Sequence, residues 1–393
     1  MRTRALIVLV AMLMAVAACT NTGTTSQAPS TAPSASPSAA ASQAPSGSAA
    51  SEAPSGSAAS EAPSASASAA PVDPSQLKIG VVTDIGALED KSFNEFSWKG
   101  VQDGAKAIGA PEPQNIVTAN TADYAANIQQ FVDQGYNIIV TVGFLIGTDT
   151  RVAALQNPDI QFFGIDQFVA PPNPPNYQGI LFAEAQPGYL AGIVAATVSE
   201  TGVIGAVGGQ SDVPPVLAYI NGYRNGAASV NPDIKVLVQY AEDFNDPAKG
   251  EAAANAMIQQ DADVIFQVAG LTGAGALRAA CAGGVSGIGV DVDQHASLPD
   301  AAECIITSAE KKLQEATSQA IQRYAEDGPQ GGAENGNFFN DAKNDGIGLS
   351  PFTNLDPVPE GLQEAVDEAL AALEDGSLDP CMPTLCDNAE TGD

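Results

Sequence analysis

The sequence predicts an α/β protein built on two parallel, doubly wound sheets, and three observations carry that prediction. Short β-branched runs alternate with stretches of helical apolar spacing from Lys78 onward, the pattern that lays parallel strands beneath covering helices. The alternation pauses at a long apolar helix and restarts at Gly202, which makes two series. Strand ends run into Gly- and Asp-bearing loops, as in TDIGALED and GVDVDQ, and ligands lie outside the carboxyl ends of strands in open sheets of this kind.

Lys78 to Thr83 reads as a buried strand, Asp84 to Lys91 as an acidic loop, and Ser92 as the start of a helix, which places Asp84, Asp90, Ser92, Phe93 and Asn94 where a small molecule would bind. Strands follow at 115–119, 137–142, 161–165 and 178–184, with helices at 123–134 and after Gly147. Pro187 opens a helix to about Ser199, proline being suited to a first helical turn. The second series has strands at 202–207, 234–240, 263–268 and 286–290, with helices at 213–228, 247–260 and 272–282 between them. A strand at 304–308, a helix at 310–326, a polar stretch holding 337–340 and 346–349, and a helix from about Glu360 to Glu374 complete the body.

The first 76 residues read differently. Arg2 and Arg4 precede an apolar run, Ala5 to Ala18, that is too short to span a bilayer and ends in Val16-Ala17-Ala18-Cys19. This reads as a signal peptide over 1–18 ending in a lipobox, the alternative being an ordinary secretory peptide followed by an incidental cysteine. Residues 19–76 are nearly all Ser, Ala, Pro, Thr and Gly, including the units SQAPSGSAA, SEAPSGSAA and SEAPSASAS, and have no hydrophobic face to bury. They read as a disordered tether spanning roughly 40 Å on average.

Acidic residues number 46 against 15 basic ones, a formal charge of −31. That balance argues against nucleic acid as a partner and suits a solvated, exported surface. Besides Cys19 there are Cys281, Cys304, Cys381 and Cys386. Pairing Cys281 with Cys304 and Cys381 with Cys386 closes the shortest loops, and the two other connectivities stay open. With His295 the sole histidine, the spacing forms no zinc site, and no cofactor is expected.

Each candidate site residue has a structural reading beside its functional one. Phe93 and Asn94 suit a core side chain and a helix cap as well as a ligand site, and Asp90 suits loop ordering or capping. Asp149 is either a ligand acceptor or an acid favoured by a helix N-terminus. Asp291, at an apolar strand end with Asp293 two residues on, is placed to accept two hydrogen bonds from adjacent sugar hydroxyls. Phe244 offers an aromatic face or inter-lobe packing, Gly270 a close backbone approach or a turn, and Phe182 is a weaker candidate. No Gly-x-Ser-x-Gly elbow occurs. The enzyme alternative is a carboxylate-based nucleoside or glycoside hydrolase using Asp291 with Asp293 or Asp84 with Asp90.

GALEDKSFNEFSWKG (86–100), GFLIGTD (143–149), PGYLAGIVAA (187–196), GVDVDQ (289–294) and TSAEKK (307–312) together resemble the basic membrane protein family. These are substrate-binding lipoproteins of ABC importers that include bacterial purine nucleoside receptors. The resemblance covers most of the chain after Leu77. It implies a type I periplasmic-binding-protein fold, with two lobes joined by three crossings near 183–186, 289–293 and 327–337. The first lobe is then 77–184 with 292–326, the second 185–291 with 327–375, and 376–393 a tail. It further implies a non-catalytic protein that binds a purine nucleoside in the cleft. Phe93 would lie against the base, Asn94 and Asp149 toward its polar edge, and Asp291 and Lys311 on the ribose, with Lys312 the alternative lysine. The expected partners are ABC permease subunits and, through a lipid on Cys19, the outer face of the cell membrane. The protein is expected to be monomeric, and a membrane-tethered ligand sensor is the remaining alternative.

Overall fold

The computed structural model describes residues 73–387, all within one compact unit; the signal peptide, Cys19, most of the tether and residues 388–393 lie outside the described residues. The last residues assigned to the tether are ordered instead as a single 3₁₀ turn, Pro74–Gln76, because the Asp73 carboxylate accepts from Ser75 N–H at 3.0 Å.

The first series gives β1 (Ile79–Ile85), α1 (Phe93–Ile108), β2 (Gln114–Thr118), α2 (Tyr124–Asp133), β3 (Ile138–Val142), α3 (Gly147–Gln156), β4 (Gln161–Ile165) and β5 (Tyr177–Phe182). The second gives α4 (Ala185–Val198), β6 (Val203–Gly208), α5 (Pro214–Val230), β7 (Lys235–Tyr240), α6 (Pro247–Ile258), β8 (Val264–Val268), α7 (Gly270–Gly283) and β9 (Ser286–Asp291). Then come α8 (Gln294–Ser297), β10 (Ile305–Lys311), α9 (Leu313–Asp327), α10 (Gly332–Asn335), β11 (Asn337–Asn340), β12 (Ile347–Leu349) and α11 (Leu362–Asp375).

Two six-stranded sheets result, in the orders β11-β5-β4-β3-β1-β2 and β12-β10-β9-β8-β6-β7. The first is parallel throughout, and in the second only β12 runs antiparallel, against β10. Strands β3, β4 and β8 are buried along their whole length, as expected where helices cover both faces.

The chain crosses between lobes three times. The first crossing, β5 to α4, falls at Ala183 and Glu184, within the 183–186 that the resemblance implies. The other two correct the expected boundaries. No crossing occurs at 289–293, because α8 is one turn capped by Asp293 and β10 then pairs in parallel with β9, so 292–311 stay in the second lobe. The chain crosses just after Lys311, and α9 returns to pack on α1. The third crossing follows β11, whose Asn337 pairs with Gly179 of β5, so 337–340 belong to the first sheet.

Close helix packing fixes the second lobe. A methyl group at Gly188 or Gly192 of α4, or at Gly222 or Gly226 of α5, would run into a backbone carbonyl of the facing helix. The two backbones therefore meet directly, and this places Tyr219 of α5 toward the cleft. Both disulfides have the short-loop pairing, Cys281–Cys304 and Cys381–Cys386. The second ties a tail held on α5, where the Asn225 amide donates to the carbonyls of Pro380 and Thr384, each at 2.8 Å.

Candidate functional site

The carboxyl ends of β1, β3 and β4 face those of β8, β9 and β10 across a cleft of about 720 Å³, counting its open mouth. One wall is apolar: Ile85, Phe93 and Leu145 from the first lobe, with Val216, Tyr219 and Phe244 from the second. The polar lining is Asp84, Asp90, Asn94 and Asp166 from the first lobe, with Asp291 and Lys311 from the second. An apolar body with a few convergent polar groups is the form of a small-molecule site.

Lys311 is the centre of the polar part. Its ammonium lies 2.6 Å from Asp166 and 3.3 Å from Glu184, and sits 4.7 Å from the Phe93 ring centre. Burial disfavours its charge, but Asp166, Glu184 and Asp291 more than offset that and hold it well above the usual lysine range. Glu184 stands at the first crossing and Lys311 at the second, so this ion pair joins two of the three connections between lobes.

The carboxylates also shift upward, but with them burial is the cause and wins over the cation. Burial raises Asp291 above the usual range, against the pull of Lys311 and of the Ser92 hydroxyl, which donates to Asp291 Oδ2 at 2.7 Å. Burial also raises Asp84, opposed by donation from Tyr124, and raises Glu184 against the pull of Lys311. Asp90 is pushed up to about 7 by burial, although three backbone N–H groups of Ser92, Asn94 and Glu95 donate to it.

Two backbone features bring these groups close. Asp166 and Asp291 both end strands with φ near +60°, at 59° and 67°, a conformation that non-glycine residues keep only where the surroundings hold it. Gly143, at φ +114°, leaves the Asp84 carboxylate room that a β-carbon would fill. Two buried acceptors, Asn94 Oδ1 and Asp166 Oδ1, have no hydrogen-bond partner among the described residues. Both residues line the cleft, so a ligand with donor groups would satisfy them.

A family model described as ABC transporter substrate-binding protein PnrA-like matches residues 77–373. The chain belongs to the PnrA-like family. It is 36% identical over 233 residues to the Lactococcus lactis protein named ABC transporter nucleoside-binding protein BmpA, an alignment covering 56% of this chain and 65% of that one, just under two thirds. With basic membrane protein A of Borreliella burgdorferi it shares 34% identity over 240 residues, 60% of this chain and 68% of the other. A solved ABC transporter solute-binding protein from Conexibacter woesei is 28% identical, with a TM-score of 0.62 over 77% of this chain and 98% of that one. One from Aeropyrum pernix, at 24% identity and a TM-score of 0.70 over 77% and 92%, supports the fold.

Within this PnrA-like framework, Phe93, Asn94, Phe244, Gly270, Asp291 and Lys311 all line the cleft. Asp149 does not: α3 begins at Gly147, which leaves Asp149 half-buried in its first turn while Gly143, Phe144 and Leu145 reach the cleft. Asp293 caps α8 by accepting from His295 N–H at 3.0 Å, and Lys312 pairs with Glu310 at 3.8 Å; both line a separate, more open groove. Phe182 is buried, with its ring centre 5.2 Å from the Lys311 ammonium. Sequence reasoning missed Asp166, Glu184 and Tyr219. Asp166 had a signal, since FFGIDQ repeats the apolar-strand-then-Asp pattern of GIGVDVDQ, whereas Tyr219 reads as one more apolar position on α5.

Proposed function

We propose that this protein is the receptor of an ABC importer, anchored by a lipid on Cys19 to the extracytoplasmic face of the membrane, and that it captures a purine nucleoside between its lobes. The observation that carries the reading is the cleft lining: aromatic rings from both lobes beside buried acceptors that lack a partner. A nucleoside has a planar face for Phe93 and Phe244, ring and amino donors for Asn94 and Asp166, and vicinal hydroxyls for Asp291 and Lys311. Four carboxylates, Asp84, Asp90, Asp166 and Asp291, line the cleft against one ammonium, a balance that favours a neutral or cationic ligand over a phosphate ester. The nucleoside-binding name of the Lactococcus relative agrees with this.

The geometry supports binding over hydrolysis. Asp293 is occupied as a helix cap, and Asp90 by three backbone donors, so neither completes an acid and base pair. A permease is the partner expected of a member of this family. Among the described residues no helix is long and apolar enough to cross a membrane. In this reading the attachment is the lipid on Cys19. Native mass spectrometry of protein purified without added ligand tests the reading. A retained purine nucleoside is the expected adduct; a retained sugar or amino acid would refute the ligand assignment.

A further inference from the structure

Ser92 occupies the N-cap position of α1, where a serine hydroxyl ordinarily accepts from the first turn, yet it makes no cap bond. Asp90 performs the capping, accepting from Ser92 N–H at 3.0 Å, Asn94 N–H at 2.9 Å and Glu95 N–H at 3.1 Å. The Ser92 hydroxyl, fully buried, instead reaches the other lobe, 2.7 Å from Asp291 Oδ2 and 3.2 Å from the Val290 carbonyl. It has one proton, and the carboxylate is both the nearer and the stronger acceptor. Beside it, Ser297 Oγ of the second lobe donates to the Lys91 carbonyl of the first at 2.8 Å. Lys91 and Asp291, which supply the acceptors of these two bonds, both hold left-handed backbone, φ 63° and 67°. None of these contacts needs a ligand.

We infer that Ser92 is the positioning residue that fixes Asp291 for the ligand and, together with the Ser297 to Lys91 bond, forms a latch between the lobes that closes without a ligand. The part concerning the ligand rests on the nucleoside reading; the latch does not. Asp291 is faced by Lys311, Asp166, Asp90 and the Tyr219 hydroxyl as well as by Ser92. Loss of the Ser92 donor lets burial raise Asp291 further, and because ligand hydroxyls donate best to the ionised carboxylate, affinity then fails at a higher pH as the solution is acidified.

The test compares wild type, Ser92→Ala and Ser297→Ala by small-angle scattering and by calorimetry with guanosine. Without ligand, both variants are expected to show a larger radius of gyration than wild type, and with saturating guanosine all three the same compact radius. Ser92→Ala is expected to bind guanosine about tenfold more weakly, with its acid midpoint for affinity shifted upward. Ser297→Ala is expected to leave that midpoint in place, which separates the latch from the positioning role. If Ser92→Ala does not fold, the ligand-free radius of Ser297→Ala decides the latch. Radii equal to wild type for both variants, with an unchanged midpoint in Ser92→Ala, would overturn the inference. A wild type that binds no nucleoside while Ser92→Ala still opens would uphold the latch and refute the ligand reading.

Discussion

Lys311 keeps its charge at 2% exposure because Asp166 and Glu184 pair with it and Asp291 lies close by, and this cluster makes the site sensitive to single atoms of the ligand. If Asp291 accepts from both ribose hydroxyls, a 2′-deoxynucleoside leaves an acceptor unmatched in a water-poor cleft, a loss of ~1–3 kcal/mol. Guanosine should therefore bind about tenfold or more tightly than 2′-deoxyguanosine, and Asp291→Ala should bring that ratio toward one in the same titration. Equal affinities in wild type would take Asp291 off the ribose. A pH dependence follows from the raised carboxyls. Asp90, raised to about 7, with Asp84, Asp291 and Glu184 raised in the same direction, makes the native state bind more protons than the unfolded chain between about pH 4 and 7. Stability is then lost as pH rises through that window. The thermal midpoint of the ligand-free protein should be several degrees higher at pH 5.5 than at pH 7.5, by calorimetry, while affinity for a donor ligand should rise over the same interval. At this scale Asp291 stands out in the sequence by its place at a strand end, whereas Phe93 is singled out only by the family resemblance. Glu184 was hidden because its role comes from Lys311, 127 residues away in the chain.

Strands and helices with strong periodicity were legible, and the misread elements are those that long-range pairing decides. TSAEKK has the composition of a helix start, yet Ala309, Glu310 and Lys311 are held as strand by pairing with Leu349, Gly348 and Ile347. That extension carries Lys311 to the strand end and so into the cleft. Likewise NFFN, at 337–340, is too short and polar to announce itself and becomes a strand only beside β5. The Cys281–Cys304 bridge acts at this scale too, tying the last turn of α7 to the residue before β10 across a separation of 23 residues. Closing a loop of that size contributes ~3 kcal/mol in the chain-entropy account. The double variant Cys281→Ala with Cys304→Ala should lose about that much stability in urea unfolding. Guanosine affinity should hold within about twofold, since neither cysteine lines the cleft. A large loss of affinity at unchanged stability would show that the bridge shapes the site directly.

Across the whole molecule, two sheets meet at their carboxyl ends, and each supplies part of the polar lining and at least one aromatic ring. A ligand that touches both halves adds to the stability of the closed form that the Ser92 and Ser297 bonds already favour. The body carrying this cleft is strongly acidic, at a formal −31 for the chain, and the lining has four carboxylates against one ammonium. The two-sheet design was readable from the alternation of strands and helices. The lobe to which each late segment belongs was not, since local sequence is silent on where a chain crosses. The central claim is that this cleft takes a neutral purine nucleoside with both lobes, and parallel calorimetric titrations with guanosine and its 5′-monophosphate test it most directly. The account predicts saturable binding of one guanosine per chain with a negative heat-capacity change, and binding of the monophosphate weaker by at least about tenfold. Equal or tighter binding of the monophosphate, or no saturable binding of guanosine, would contradict it.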